Sequence, residues 1–251
     1  MRGAALAAAL LLPAPAAAED RVTGYDMLPP ELRAMQDDPV GNPGLFWVLD
    51  GAAAWERPPE TGAPSCAGCH GDAAVAMAGV AARYPAWDEA SARPVDLAGR
   101  IDLCRVRHQE APPLGHGSDA SLALAAFVTQ QSREMPIAPG PDPRLDPARK
   151  AGEALFRRRV GQLNLSCAQC HDERAGGHLA AATIPEAHPT GYPQYRLEWE
   201  TMGSLHRRFG NCLFGVRAEP LAPGGDEAVA LELYLKTRAA GLPVESPAVR
   251  P

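Results

Sequence analysis

Aromatic residues are scarce in this chain, at 6%, while Pro and Gly number 26 and 24 in 251 residues. This poverty of sheet-favouring side chains and abundance of chain breakers argue against a large sheet and for short helices joined by loops. No basic run and no stripe of alternating basic and aromatic residues is present. With a net charge of −6, this excludes nucleic acid as an expected partner. Beyond residue 18 no segment is long and apolar enough to span a bilayer. The first eighteen residues read instead as an export leader: Arg2 is the positive start, Ala4 to Leu12 the apolar run, and Ala16-Ala17-Ala18 the small-residue cleavage site before Glu19. The expected mature protein starts near Glu19 and is exported to the periplasm, where disulfides are also permitted.

Cysteine is also limited, to six residues, and four of them fall into Cys66-Ala67-Gly68-Cys69-His70 and Cys167-Ala168-Gln169-Cys170-His171. Cys-x-x-Cys-His is the attachment signature of c-type haem: two thiols form thioethers to the porphyrin and the adjacent histidine coordinates iron. One copy is weak evidence. Two copies in an exported chain, each behind a Gly-x-x-x-aromatic helix, are strong evidence. Cys66, Cys69, Cys167 and Cys170 are therefore the expected attachment residues for two covalently bound haems c, with His70 and His171 as iron ligands.

The two halves repeat. Gly51 and Trp55 correspond to Gly152 and Phe156, and each aromatic lies fifteen residues before its motif's histidine. Arg100 and Cys104 correspond to Arg208 and Cys212. The run Leu122-x-Leu124-x-x-Phe127 corresponds to Val229-x-Leu231-x-x-Tyr234, and Met135-Pro136-Ile137 to Leu242-Pro243-Val244. The offset drifts only from 101 to 108, as small loop insertions give. The spacing predicts helices over 44–55, around 97–104, and from Ala120 to Ser132 with Ser118 or Asp119 as cap. The expected fold is mainly α. Two tandem cytochrome-c-like haem domains, 44–137 and 148–251, follow an irregular N-terminal arm over 19–43, which carries a single helical turn near Glu31 to Met35. A proline-rich linker over 138–147 joins them, and the second domain carries the active site.

Cys104 and Cys212 remain, and the residues alone leave their role open. They are a disulfide, buried thiols, distal haem ligands or reactive sulfurs. No methionine recurs in both halves. Met77 and Met135 are available in the first and Met202 in the second, whereas the cysteine does recur, where a distal ligand should arise. Arg208, one helical turn before Cys212, is suited to lower the thiol pKa and hold an anion; it is equally suited to a haem propionate, as the matching Arg100 warns. Arg207, Arg217 and Arg238 are weaker candidates, as are His108, His116, His178, His188 and His206 as ligands. A non-enzymatic dihaem electron carrier is the rival reading. A dihaem peroxidase is disfavoured by the lack of a distal acid/base constellation.

Two haem motifs, Gly99-Arg100-Ile101-Asp102-Leu103-Cys104-Arg105, Gln131-Ser132-Arg133-x-Met135-Pro136 and Arg208-Phe209-Gly210-Asn211-Cys212 together resemble the dihaem SoxA subunit of the SoxAX cytochrome, from about Asp26 to Leu235. The resemblance implies that His70 and Cys104 ligate the first haem, and that His171 and Cys212 ligate the second, with the Cys212 sulfur carried as a persulfide. It implies that Arg208 holds thiosulfate. It further implies oxidative joining of thiosulfate to a cysteine of the carrier SoxY (as SoxYZ), with the small monohaem cytochrome SoxX as partner in a heterodimer. Family members lacking the first haem have a disulfide at the position of Cys104; this chain keeps Cys66, Cys69 and His70.

Overall fold

The computed structural model describes residues 21–180 and 182–251; the leader read at 1–18 lies outside them. The helices are α1 (Pro30–Asp37), α2 (Gly44–Glu56), α3 (Cys66–His70), α4 (Ala73–Ala76), α5 (Leu97–His108), α6 (Asp119–Gln130), α7 (Asp146–Arg157), α8 (Cys167–His171), α9 (Leu205–Gly215) and α10 (Asp226–Arg238). Among the described residues seven short strands accompany them. The pairs β1 (Ala86–Asp88) with β2 (Arg93–Val95) and β3 (His178–Leu179) with β4 (Ala182–Thr183) are hairpins. A sheet of order β6-β5-β7 joins Thr201–Gly203, Gln194–Arg196 and Ala248–Arg250.

The repeat predicted from spacing is a repeat of helix crossings. α2 packs on α6 in the first half, and α7 on α10 in the second. Both crossings depend on a glycine. A Cβ on Gly51 would lie 2.1 Å from the Ala123 carbonyl oxygen, and one on Gly152 would lie 2.0 Å from that of Ala230. The next obstacles are Phe127 and Tyr234, the matching aromatics of the exit helices. One turn along, Trp55 and Phe156 are buried at 4% and 1% exposure, since the close backbone approach brings the aromatic into the core. Gly152→Ala therefore forces α7 off α10. The expected cost is about 3 kcal/mol, a fall of roughly 6–12 °C in the melting midpoint of the haem-loaded protein. An unchanged midpoint would refute the close crossing.

The halves also meet through equivalent ends. Ile137 N–H donates to Leu242 O at 2.8 Å, and Val244 N–H donates to Met135 O at 3.0 Å, an antiparallel bridge centred on Pro136 and Pro243. The 138–147 tract is anchored rather than loose. Ala138 N–H donates to Ala82 O at 2.9 Å, Leu145 is 1% exposed, and α7 begins at Asp146.

The strands go beyond the expectation, because three residues carry too few alternations to be told from loop. β7 adds the C-terminal tail to β5 in parallel, with Tyr195 opposite Val249. The N-terminal arm clasps this tail. Gln36 Oε1 accepts from Val249 N–H at 3.0 Å, and Asn42 Nδ2 donates to Pro247 O at 2.9 Å. The arm carries the two-turn α1 in place of a single turn, with Pro30 at its first position where no amide donor is lost.

Candidate functional site

Each haem motif forms a short helix opened by a serine. Ser65 Oγ accepts from Gly68 N–H at 3.0 Å, and Ser166 and Gln169 form a reciprocal capping box. Helix winding brings both thiols and the histidine of each motif into one turn and a half. The residues fit covalently bound haem. All six cysteines are unpaired, and His171 keeps one ring nitrogen free. His171 Nδ1 lies 2.6 Å from the Pro185 carbonyl oxygen, to which it donates its proton, so Nε2 keeps its lone pair, as an iron ligand requires. Burial holds the imidazole below the usual histidine range, and the charges of Arg208 and Arg238 act in the same direction. His70 stacks on Trp55 at 5.7 Å.

Cys104 and Cys212 arrive on α5 and α9. These helices start alike, with Asp96 accepting from Gly99 N–H at 2.8 Å and Ser204 from Arg207 N–H at 3.1 Å. In α9 Leu205 and Phe209 turn inward onto Phe156, Ala168, Leu231 and Leu235. Arg208 and Cys212, four residues apart, occupy the adjoining, half-buried face. Cys212 lies near the motif thiols, as its effect on Cys167 records: burial pushes the Cys167 thiol up to about 11, and Cys212 adds to the rise. Cys104 is close enough to Cys66 and Cys69 to interact with both, and burial raises Cys66 and Cys104 alike. Each leftover cysteine thus lies within electrostatic reach of its own motif's thiols, and neither is paired with its twin.

The two arginines differ. Arg100 Nη1 lies 2.8 Å from Asp88 Oδ1, and Arg107 Nη2 lies 2.8 Å from Asp88 Oδ2. The buried Asp88 carboxyl is held well below the usual carboxylate range, chiefly by its hydrogen bonds from Arg107. Arg208 has no carboxylate partner among the described residues. Its charge depresses both His171 and Arg196, so it lies within electrostatic reach of the motif and of β5.

Other candidates are diverted. Arg207 is exposed and stacks over Trp199 at 4.3 Å, and Arg217 is exposed with a left-handed backbone, φ 57°. Arg238 is held by Asp172 at 2.7 Å and lies over Phe156 at 4.8 Å. Met202 is fully buried against Val48, Leu122 and Ala126 of the first half, so it is not offered to the second motif. His116 and His206 stack at 6.0 Å between the halves. His116 Nε2 lies 2.9 Å from Asp96, and His206 Nε2 lies 3.0 Å from Glu232. His206 Nδ1 accepts from Gly224 N–H, so Nε2 carries the proton and has no lone pair for a cation. His188 Nδ1 lies 3.1 Å from Val22 O, and His108 and His178 are exposed.

Tyr192 and Arg196 were missed at the sequence level. Tyr192 belongs to the core beneath α9, and its hydroxyl feels Arg208, Arg196 and Cys212. A signal for Tyr192 existed: Tyr84-Pro85 and Tyr192-Pro193 stand 108 positions apart, at the offset of the Arg and Cys pairs.

Two helix-crossing halves, each with a haem motif on a capped short helix, define a two-domain c-type cytochrome. A profile described as SoxA/TsdA, cytochrome c domain, matches residues 50–137 and 151–244, and the chain belongs to that family. It is 36% identical to the L-cysteine S-thiosulfotransferase subunit SoxA of Pseudaminobacter salicylatoxidans over 92% of this chain and 82% of that one. It is 33% identical to the SoxA of Rhodovulum sulfidophilum over 95% and 84%. Among solved structures it is similar to a chain of SoxXA from P. pantotrophus, with TM-score 0.86, 29% identity, and 92% and 87% of the two chains covered.

Proposed function

We propose that this chain is the catalytic dihaem subunit of an L-cysteine S-thiosulfotransferase, joining thiosulfate oxidatively to a cysteine of a SoxY-type carrier. The observation that carries this reading is an arginine without a carboxylate partner, Arg208, one helical turn from an unpaired cysteine, Cys212, beside the second haem motif. The names of the relatives support the activity, and the SoxXA assembly of the structural neighbour supports a SoxX-type cytochrome partner. Among the described residues no helix is long and apolar enough to cross a membrane, in keeping with a periplasmic protein whose leader is removed near Ala18.

In the reaction a carrier thiol and thiosulfate form one sulfur–sulfur bond: RSH + S₂O₃²⁻ gives RS–S–SO₃⁻, one proton and two electrons. Haem c, held by Cys66, Cys69 and His70 and by Cys167, Cys170 and His171, supplies one-electron acceptance when bound, and a cytochrome c acceptor takes the electrons onward. Arg208 binds and orients the sulfonate end of the dianion, where a guanidinium matches two oxygens at once. Cys212, carried as a persulfide, presents the sulfur at which the new bond is made or passed on. Cys104 and Cys212 would serve as further iron ligands, with His70 and His171 respectively, when haem is bound.

Intact mass of the purified protein checks the cofactor count. Two haems and one extra sulfur atom are expected on the chain cleaved after Ala18; a single haem would remove one motif from this assignment. Cys66→Ala/Cys69→Ala protein should carry one haem and no more.

A further inference from the structure

The tract 84–104 and the tract 192–212 are one structural unit used twice, without insertion. Ala86 pairs Val95 and Asp88 pairs Arg93 in one hairpin, as Gln194 pairs Gly203 and Arg196 pairs Thr201 in the other. The turns carry left-handed residues at the same step, Ala92 with φ 48° and Glu200 with φ 52°. The caps Asp96 and Ser204, the arginines Arg100 and Arg208, and the cysteines Cys104 and Cys212 all follow at the same offset of 108. At that offset Asp88, the counter-ion of Arg100, corresponds to Arg196.

The repeat has therefore reversed a charge at the position that, in the first half, pairs with the arginine both halves share. In the first domain Asp88 neutralises Arg100 and also binds Arg107. In the second, Arg196 stands where the acid was and Gly215 where Arg107 would be, and Arg196 lies within electrostatic reach of Arg208. Burial depresses the Arg196 pKa, with Arg208's charge as the next cause. Its Nε is buried without a hydrogen-bond partner, and its side chain is 12% exposed. Its carboxylate contact is Glu198 at 3.0 Å, itself 59% exposed, where water screens the pair to little value. Two half-buried guanidiniums held together without a carboxylate between them repel, and an anion that bridges them removes the repulsion.

We infer that Arg196 is the second cationic arm of the Cys212 site, and that Arg196 and Arg208 together select a dianionic sulfur oxyanion. This rests on the thiosulfate reading above and deepens it. Arg196 is a substrate-positioning residue; it takes no proton and no electron.

The test uses the haem-loaded chain with its cytochrome partner. Thiosulfate affinity is read by calorimetry, and the potentials of both haems by redox titration, for the parent protein, Arg196→Gln, Arg196→Lys and Arg196→Asp. Arg196→Gln should weaken thiosulfate binding about 10- to 30-fold, the loss of one charge-assisted contact. Arg196→Lys keeps the charge but neither the fork nor the stack over Trp199 at 5.1 Å, so it should fall between the parent and Arg196→Gln; a merely structural arginine would not grade affinity by charge. Arg196→Asp, which restores the first domain's pairing, should weaken binding more than Arg196→Gln. Parent-like affinity in Arg196→Gln overturns the second arm and leaves the Cys212 chemistry standing. A shifted haem potential with unchanged affinity assigns Arg196 to a haem propionate and also overturns it. Absence of thiosulfate binding in the parent overturns both this arm and the conjugation reading.

Discussion

Cys212→Ala protein is expected to take up both haems and to lose thiosulfate conjugation by at least about 10³-fold in kcat, the scale on which removal of a covalent participant acts. The sulfur is half-buried on α9, one turn from Arg208 and close enough to Cys167 to raise that thiol. No other sulfur of the second half competes for the role. Cys167 and Cys170 belong to the haem motif, and Met202 is turned into the first half's core. Haem content and the melting midpoint show whether the variant is assembled. The same substitution at Cys104 should change the spectrum of the first haem and leave conjugation within about tenfold. An assembled Cys212→Ala protein with full conjugation activity would remove Cys212 from the chemistry.

Arg208→Ala should raise the thiosulfate KM by about 100-fold while kcat at saturation falls much less. A charged hydrogen bond to an anion in a partly buried site contributes roughly 1.5–3 kcal/mol, or about 10- to 150-fold. Arg208 belongs near the top of that range because no carboxylate among the described residues competes with the substrate for it. The matched experiment is Arg100→Ala. There the guanidinium is bound by a buried aspartate, 2.8 Å away, so removing it should lower the melting midpoint and leave the thiosulfate KM near the parent value. Steady-state kinetics with the carrier protein separate the two. Equal KM changes from Arg100→Ala and Arg208→Ala would mean that both arginines serve the domain plan, and neither the substrate.

These effects differ in how far they were visible before the fold was known. The haem motifs are local: thioether attachment and proximal ligation need thiols and imidazole within five residues, so the chemistry is written in consecutive letters. The helix crossings were nearly as legible. Gly51-x-x-x-Trp55 and Gly152-x-x-x-Phe156 are the imprint of a backbone contact that admits no Cβ, and a contact used twice leaves the same spacing twice. The equivalence of Cys104 with Cys212 was legible for the same reason, and α5 and α9 carry them at matching steps.

What surrounds each arginine was not legible. Asp88 and Arg100, like Arg196 and Arg208, are twelve positions apart; Asp88 meets Arg100, and Arg208's charge reaches Arg196, only because a hairpin precedes the helix that carries the arginine. Even α1 and β7, more than two hundred residues apart, are bound through Gln36 and Val249.

The sequence by itself therefore determined the cofactor, the two-fold repeat and the pair of candidate cysteines, because each rests on covalent spacing or on one helix's periodicity. Only the tertiary structure decided that Arg100 is neutralised and Arg208 is not. A charge's effect depends on what lies within a few ångströms of it, and that neighbour is chosen by packing across the chain, not along it.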